Sequence, residues 1–163
     1  MNLNRILLAL TALVTIWSAI EPRHRFTWWL EVAPVFIGVV ILFATHRRFP
    51  LTPLLRICLF VHAVVLLVGG HYTYGYVPIG DWVKAAFDFS RNHYDRVGHI
   101  AQGFIPAILA REVLIRTSPL RPGKWLFTIC VAICLAFSAF YEMIEWWAAV
   151  AGGESADSFL GTQ

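Results

Sequence analysis

Charged residues are scarce in this chain, since Asp, Glu, Lys and Arg make up only 14% of its 163 residues, against about a quarter in an average soluble domain. This scarcity excludes a soluble globule. Hydrophobic residues reach 58%, and that content excludes a disordered chain, which needs low hydrophobicity and high charge. Basic runs of five or more are lacking as well, so nucleic-acid binding has no support. The class that remains is an integral membrane protein.

Cysteine is also rare, with three residues in the whole chain. Cys58, Cys130 and Cys134 all lie inside apolar segments, where none is placed to bridge an exposed loop. Small buried core residues explain them better than a thiol site does. They therefore carry no information on the redox compartment.

Five apolar stretches are near the length of about 20 residues that a helix needs to cross the hydrocarbon of a bilayer. They must be helices, because lipid offers the backbone no hydrogen-bond partner. We therefore predict an all-α, polytopic transmembrane bundle of about five membrane helices in a single integral membrane domain over residues 1–163. The helices are expected near residues 7–20, 28–45, 51–70, 98–115 and 125–150, with a C-terminal tail at 151–163.

The positions of Lys and Arg predict the orientation of the bundle. With a cytoplasmic N-terminus, eight basic residues lie on the inner side and five on the outer side, which favours that arrangement. The long loop between the third and fourth helices then lies outside. The inner set is Arg5, Arg47, Arg48, Arg56, Arg111, Arg116, Arg121 and Lys124, and the outer set is Arg23, Arg25, Lys84, Arg91 and Arg96.

Polar residues collect in that long outer loop and in the helix that follows it. Ser90 is an expected N-cap, so the chain from Arg91 onward can be helical and continuous with the fourth membrane helix. Positions three and four residues apart share one face of a helix, so a polar stripe enters the membrane from outside. The stripe consists of Asn92, Asp95, His99, Gln102 and Pro106.

The fifth helix repeats small and polar residues at the same spacing. Carboxylates in its last membrane turns cost free energy unless they are paired, protonated or in contact with water. In an antiparallel hairpin, equal rise per residue sets His99 level with Glu142. The register and the orientation together predict one outer-leaflet cluster. Its members are Glu31, His71, His93, Asp95, His99, Glu142, Glu145 and Asp157, with Tyr141 beside it.

Three interpretations of this cluster stay open. Imidazole and carboxylate together are ligands for Zn, Mn or Fe, so His93, Asp95, His99 and Glu142 could hold a divalent metal. The same groups could act as a metal-free acid and base on a lipid headgroup, with Arg91 or Arg96 meeting a phosphate. The third interpretation is a structural hydrogen-bonded network that fastens the loop to the helix ends.

Several segments resemble the YjdF-like inner-membrane proteins, a bacterial family of unknown function. The resemblance implies a multi-pass protein of the bacterial inner membrane and supplies no activity. The family pattern usually continues with an Asp-rich stretch and a further helix, whereas this sequence ends at Gln163, so a shortened chain is one expectation. The matching segments are GGHYTY at 69–74, VPxGxW at 77–82, SRNHYDRVGHIAQGF at 90–104, AREVL at 110–114, YEMIEWW at 141–147 and DSFLGTQ at 157–163.

A looser resemblance connects the chain with VanZ-like membrane proteins. The shared features are a helix start with Asp95 and His99, a later Tyr141 and Glu142, and an acidic residue near Asp157. VanZ-like proteins are linked to glycopeptide-antibiotic tolerance, so this similarity favours envelope lipid or glycan chemistry.

These observations lead to three hypotheses of function. In the first, the protein binds or modifies an envelope lipid or its headgroup, with or without a divalent metal; His99 and Glu142 are its centre, and Asp95, His93 and Glu145 support them. In the second, the protein is a non-enzymatic scaffold that acts in a homo-oligomer or with a membrane partner protein. In the third, His62 lies on an ion or proton pathway. Membrane lipids are the expected partners.

Overall fold

The computed structural model describes residues 3–152, except the side chains of 145, 148, 149, 151 and 152. Over this range the chain is all-helical, as predicted, with six α-helices and one 3-10 turn at Tyr74–Tyr76. The helices are α1 (Leu3–Ala19), α2 (Arg25–Thr45), α3 (Pro53–Tyr72), α4 (Pro78–Phe87), α5 (Tyr94–Thr117) and α6 (Lys124–Gly152).

All five predicted helices are present, and their ends differ from the expected ones by a few residues. The difference lies in the predicted long loop, which contains α4, a helix of 10 residues. Among the described residues, three segments are long and apolar enough to cross a membrane: Arg25–Thr45, Pro53–Tyr72 and Lys124–Ile144. The apolar α1, with 17 residues, is shorter.

Local sequence explains where α3 begins and ends. Pro53 occupies its first turn, where the missing N–H costs nothing, and the Thr52 hydroxyl accepts a hydrogen bond from the Leu55 N–H at 3.4 Å. At the other end Thr73 adopts a left-handed conformation with φ of 55°, and its N–H donates to the Gly69 carbonyl. This reversal directs the chain out of α3 and into the 3-10 turn.

The described chain divides into two compact units, residues 3–98 and 99–152. In the first unit α3 packs against both α1 and α2. Its core consists of Trp28, Val32 and Val35 from α2 with Leu66 and Leu67 from α3. Val32 and Leu67 are fully buried, and apolar burial of this kind stabilises the packing of the helices. Partly buried residues of α1, such as Val14, complete the core.

A buried hydrogen-bond chain connects these three helices at the end of α3. The Trp28 indole N–H donates to the Ser18 hydroxyl at 2.8 Å, and that hydroxyl donates to the Leu67 carbonyl at 2.7 Å. Both side chains are buried, Ser18 completely. A polar group in an apolar interior is costly unless it is paired, so this chain satisfies the polar atoms that the core encloses.

The second unit contains the rest of α5 and α6. The Arg116 guanidinium lies 2.8 Å from the Glu112 carboxylate, which confirms the ion pair that their spacing of four residues predicts. Cys130 is buried and Cys134 is half-buried, both as free thiols. The burial of Cys130 agrees with the prediction of a small core residue.

The Ser18 hydroxyl provides a direct test of the packing of α1 on α2 and α3. Ser18→Ala leaves the buried Trp28 N–H without an acceptor, so we expect the free energy of unfolding to fall by about 1–3 kcal/mol. Equilibrium unfolding in detergent micelles measures this change.

Thr15→Ala is the matched control, because the Thr15 hydroxyl donates only to the Thr11 carbonyl within its own helix. We expect this variant to stay within about 0.5 kcal/mol of the wild type. Equal losses in the two variants would contradict a role for the Ser18 hydroxyl between helices.

Candidate functional site

The predicted site residues are distributed over both units. Tyr141 and Glu142 lie on α6 in the second unit, and His99 is that unit's first residue. Asp157 lies outside the described residues, and of Glu145 the structure describes only the backbone, in α6. The first unit contains Glu31, His71, Arg91, His93, Asp95 and Arg96.

His71 lies in the last turn of α3, where its side chain has a structural role. Its Nδ1 lies 3.1 Å from the Ser18 carbonyl, so Nδ1 is the donor and a neutral ring carries its proton there. The ring also packs against Trp17, with centroids 4.6 Å apart. Its own carbonyl accepts from the Arg23 N–H at 3.0 Å. These bonds fasten the connection between α1 and α2 to α3.

Glu31 lies at the same end of the first unit. It is half-buried on α2, and α2 and α3 approach each other closely here because Gly70 has no side chain. A Cβ on Gly70 would lie 3.1 Å from Val32 Cγ2 and 3.3 Å from Glu31 Cβ. The structure therefore brings Glu31 beside the turn of α3 that carries His71.

The Tyr74 ring joins the end of α3 to the start of α5. A Cβ on Gly69 would overlap this ring, and a Cβ on Gly98 would lie 2.8 Å from its Cε1. The Tyr94 hydroxyl reinforces the contact by donating to the Val65 carbonyl at 3.2 Å. Asp95, which follows Tyr94 and is half-buried, is thereby held at the end of α3 as well.

The side chain that binds the first N–H of α5 belongs to Asn92, so the prediction of Ser90 as N-cap is wrong. The Asn92 carbonyl oxygen accepts from the Tyr94 N–H at 2.9 Å, while its amide donates to the Val77 carbonyl and to Asp81, each at 2.9 Å. The side chain is buried and precedes the helix. Asn92 is therefore a structural clamp and does not belong to the polar face of α5.

His93 lies between two exposed arginines, Arg91 and Arg96. Its ring meets the Phe89 ring edge-on at 4.9 Å, and its Nδ1 is shielded from solvent with no hydrogen-bond partner among the described residues. Burial lowers the pKa of His93 below its ordinary value, and the positive charges of Arg96 and Arg91 lower it further. Burial and the two arginine charges therefore both favour the neutral form of the His93 imidazole.

The second unit presents its candidate residues differently. His99 is exposed near the start of α5, four residues after Asp95 on the same helix. On α6 Tyr141 is half-buried and Glu142 is exposed. The pairing of His99 with Glu142 and the convergence of the whole cluster remain predictions. Among the side chains that the structure describes, no group of three His, Cys, Asp or Glu is arranged to hold a metal ion.

Comparison with known proteins identifies the family. The chain matches the predicted membrane protein family DUF2238 over residues 3–163. It is 50% identical over 161 residues to the inner membrane protein YjdF of Escherichia coli strain K12, an alignment that covers 99% of this chain and 77% of that protein. No solved structure matches the chain.

The chain therefore belongs to the DUF2238 family of predicted membrane proteins, which confirms the resemblance to YjdF-like proteins. The predicted location in a bacterial inner membrane is confirmed with it.

Sequence reasoning missed two features near the site. The first is the Tyr74 contact with Gly69 and Gly98, which unites residues distant in sequence and leaves no local pattern. The second is α4, for which a signal exists: Pro78 is a favourable first residue, and Ile79, Trp82, Val83 and Phe87 recur at helical spacing.

Gly98 and Gly103 form a matched pair on α5. Gly98→Ala places a methyl group against the Tyr74 ring, which Gly69 confines from the other side, so we expect a loss of about 1–3 kcal/mol in the free energy of unfolding. Gly103 has no atom within 4 Å of an added Cβ. Gly103→Ala should therefore be neutral or stabilising by up to about 1 kcal/mol.

Equilibrium unfolding of both variants in detergent measures the difference. A Gly98→Ala variant as stable as Gly103→Ala would show that Tyr74 does not hold the start of α5.

Proposed function

We propose that this protein binds the anionic headgroup of an envelope lipid at the start of α5, where Arg91 and Arg96 flank His93. The observation that carries the proposal is the position of His93 between two exposed arginines, whose positive charges lower its pKa. Two exposed guanidinium groups and the His93 imidazole form a donor set that suits a phosphate. The outer leaflet is the proposed location, with about five membrane helices and a cytoplasmic N-terminus.

Chemistry on the bound headgroup would use the acid and base groups next along α5. Asp95 lies beside Arg96, and His99 follows one turn later on the same helix. In the proposal these two residues are candidates for proton transfer. Binding of the headgroup by the two arginines requires no divalent metal, so the proposal stands with or without one.

A non-enzymatic scaffold is the second candidate, and a specific observation favours it for part of the cluster. His71 uses Nδ1, its ring face and its carbonyl to hold α1 and α2 on α3. Because these groups of His71 already hold the helices together, His71 is less available to bind a ligand. In this second proposal the end of the bundle is a rigid surface for a membrane partner or a second copy.

Removal of either arginine charge tests the headgroup proposal. We expect Arg91→Gln and Arg96→Gln each to weaken binding of a short-chain phosphatidylglycerol by about two- to fivefold, because each exposed charge contributes up to about 1 kcal/mol. The double variant should lose more than either single variant. Titration of the purified protein in a neutral detergent, followed by microscale thermophoresis, measures the affinity.

Arg25→Gln is the matched control, since Arg25 is exposed and lies on the same predicted side of the membrane. Arg23 is unsuitable, because its guanidinium lies 3.4 Å from the centroid of the Tyr76 ring. Short-chain phosphatidylcholine, which has no net charge, serves as the control ligand. Equal weakening by Arg25→Gln, or equal affinity for the two lipids, would count against a site at Arg91 and Arg96.

The low pKa of His93 predicts how this binding depends on pH. A bound phosphodiester offsets the arginine charges and so raises the pKa of His93 toward its ordinary value of 6.5. Binding then takes up a proton, and affinity should increase as the pH falls from neutral through 6.5 toward the pKa of the free site. For each unit by which binding raises the pKa of His93, the affinity can increase by at most about tenfold.

A phosphodiester does not itself titrate in this range, so the same titration repeated at neutral and mildly acidic pH isolates the protein's contribution. His93→Asn should bind with an affinity that hardly changes with pH. If this variant keeps the full dependence, His93 is not the titrating group.

A further inference from the structure

The ten-residue helix α4 has one strongly apolar face, which the structure leaves exposed. Trp82 is 75% exposed, Phe87 68% and Ile79 58%, and Val83 lies between them. At 100° per residue these four side chains, with Ala86, occupy one side of the helix. Soluble surfaces rarely expose an apolar patch that contains several large side chains, so this face is expected to contact something apolar.

The opposite side of α4 is attached to the rest of the first unit. Asp81, on that side, accepts a hydrogen bond from the Asn92 amide at 2.9 Å, and Gly80, at the edge of the apolar face, is buried against the same amide, with which any Cβ would collide. Lys84, which extends this polar side, is exposed. The clamp therefore fixes the rotation of α4 about its axis, so that the apolar face is turned away from Asn92.

The position of α4 along the chain identifies what covers this face. The candidate membrane span Pro53–Tyr72 ends six residues before α4 begins, and the 3-10 turn Tyr74–Tyr76 shortens the connection. The helix thus begins close to a membrane surface. Its 10 residues extend over about 15 Å, half of the hydrocarbon thickness, so α4 is too short to cross.

We propose that α4 lies in the plane of the membrane, with Ile79, Trp82, Val83 and Phe87 inserted into the lipid at the boundary between headgroups and acyl chains. Asp81 and Lys84 then face the headgroups and water. Tryptophan is enriched at this depth because its ring is apolar and its N–H is polar. Helices of this kind bury their apolar face about 5–10 Å into the boundary region.

Spin labels placed around the helix test the proposal. The background variant is Cys58→Ser, Cys130→Ala and Cys134→Ala, and single cysteines then replace Trp82, Val83 or Phe87 on the apolar face and Lys84 or Ala85 on the other. Collision with oxygen, which concentrates in lipid, is compared with collision with a water-soluble nickel complex in phosphatidylethanolamine and phosphatidylglycerol vesicles. We expect labels on the apolar face to favour oxygen and the others to favour nickel.

The decisive result is a change from oxygen preference at position 83 to nickel preference at the neighbouring position 84. Nickel preference at all five positions would overturn the proposal, because the face would then be in water. Loss of oxygen preference at 82 and 83 as the protein-to-lipid ratio increases would also overturn it, because a second copy would then cover the face.

A measurement without labels keeps the test valid if the cysteine-free background fails to fold. Brominated phosphatidylcholine quenches tryptophan fluorescence at the depth of the bromine. With bromine near the headgroups, Trp82→Phe should reduce the quenched fraction, whereas unchanged quenching would contradict insertion of Trp82. Arg91→Gln and Arg96→Gln should leave both results unchanged, so failure of the headgroup site and failure of α4 insertion are distinguishable.

Discussion

The Tyr74 ring is the contact on which the polar end of the first unit depends. It fills the space between the last turns of α3 and the first turn of α5, and both helices have a glycine at the point of contact. Protein interiors are close-packed, so the Tyr74 ring fits into this space only because positions 69 and 98 have no side chains. The left-handed residue Thr73 directs the chain so that Tyr74 folds back over Gly69. The positions of Asp95 and Arg96, which follow on α5, depend on this contact.

Neutral polar groups at this end obtain their partners from the backbone. Ser18 donates to the Leu67 carbonyl, Tyr94 to the Val65 carbonyl and Asn92 to the Val77 carbonyl. Each bond joins segments far apart in sequence and satisfies a donor that cannot reach water. These three polar residues therefore fix the positions of helices relative to the segments that they contact. This use of polar residues accounts for the structural network at the polar end of the first unit.

The sequence predicts the helices well and their contacts poorly, for a physical reason. A membrane helix must be long and continuously apolar, so hydropathy alone locates α2, α3 and α6. The chain of hydrogen bonds from Trp28 through Ser18 to Leu67 depends on the packing of three helices, and no local spacing encodes it. The helix α4 was obscured because its 10 residues lie in a segment rich in polar residues, although its apolar spacing is regular. The flanking of His93 by Arg91 and Arg96 was predictable, since adjacency in sequence guarantees it.

Charge separates the two exposed arginines at this end from the neutral residues that have structural roles. A hydroxyl or amide is satisfied by one or two carbonyls at little cost, whereas a guanidinium has five donors and a full charge that carbonyls alone do not neutralise. Arg91 and Arg96 are exposed, and their positive charges add to the effect of burial in lowering the pKa of His93, whose ring contacts Phe89. A negative charge placed there would relieve the repulsion that the imidazolium experiences. The proposed ligand is therefore an anion, and in a bilayer the most abundant anion is a lipid phosphate.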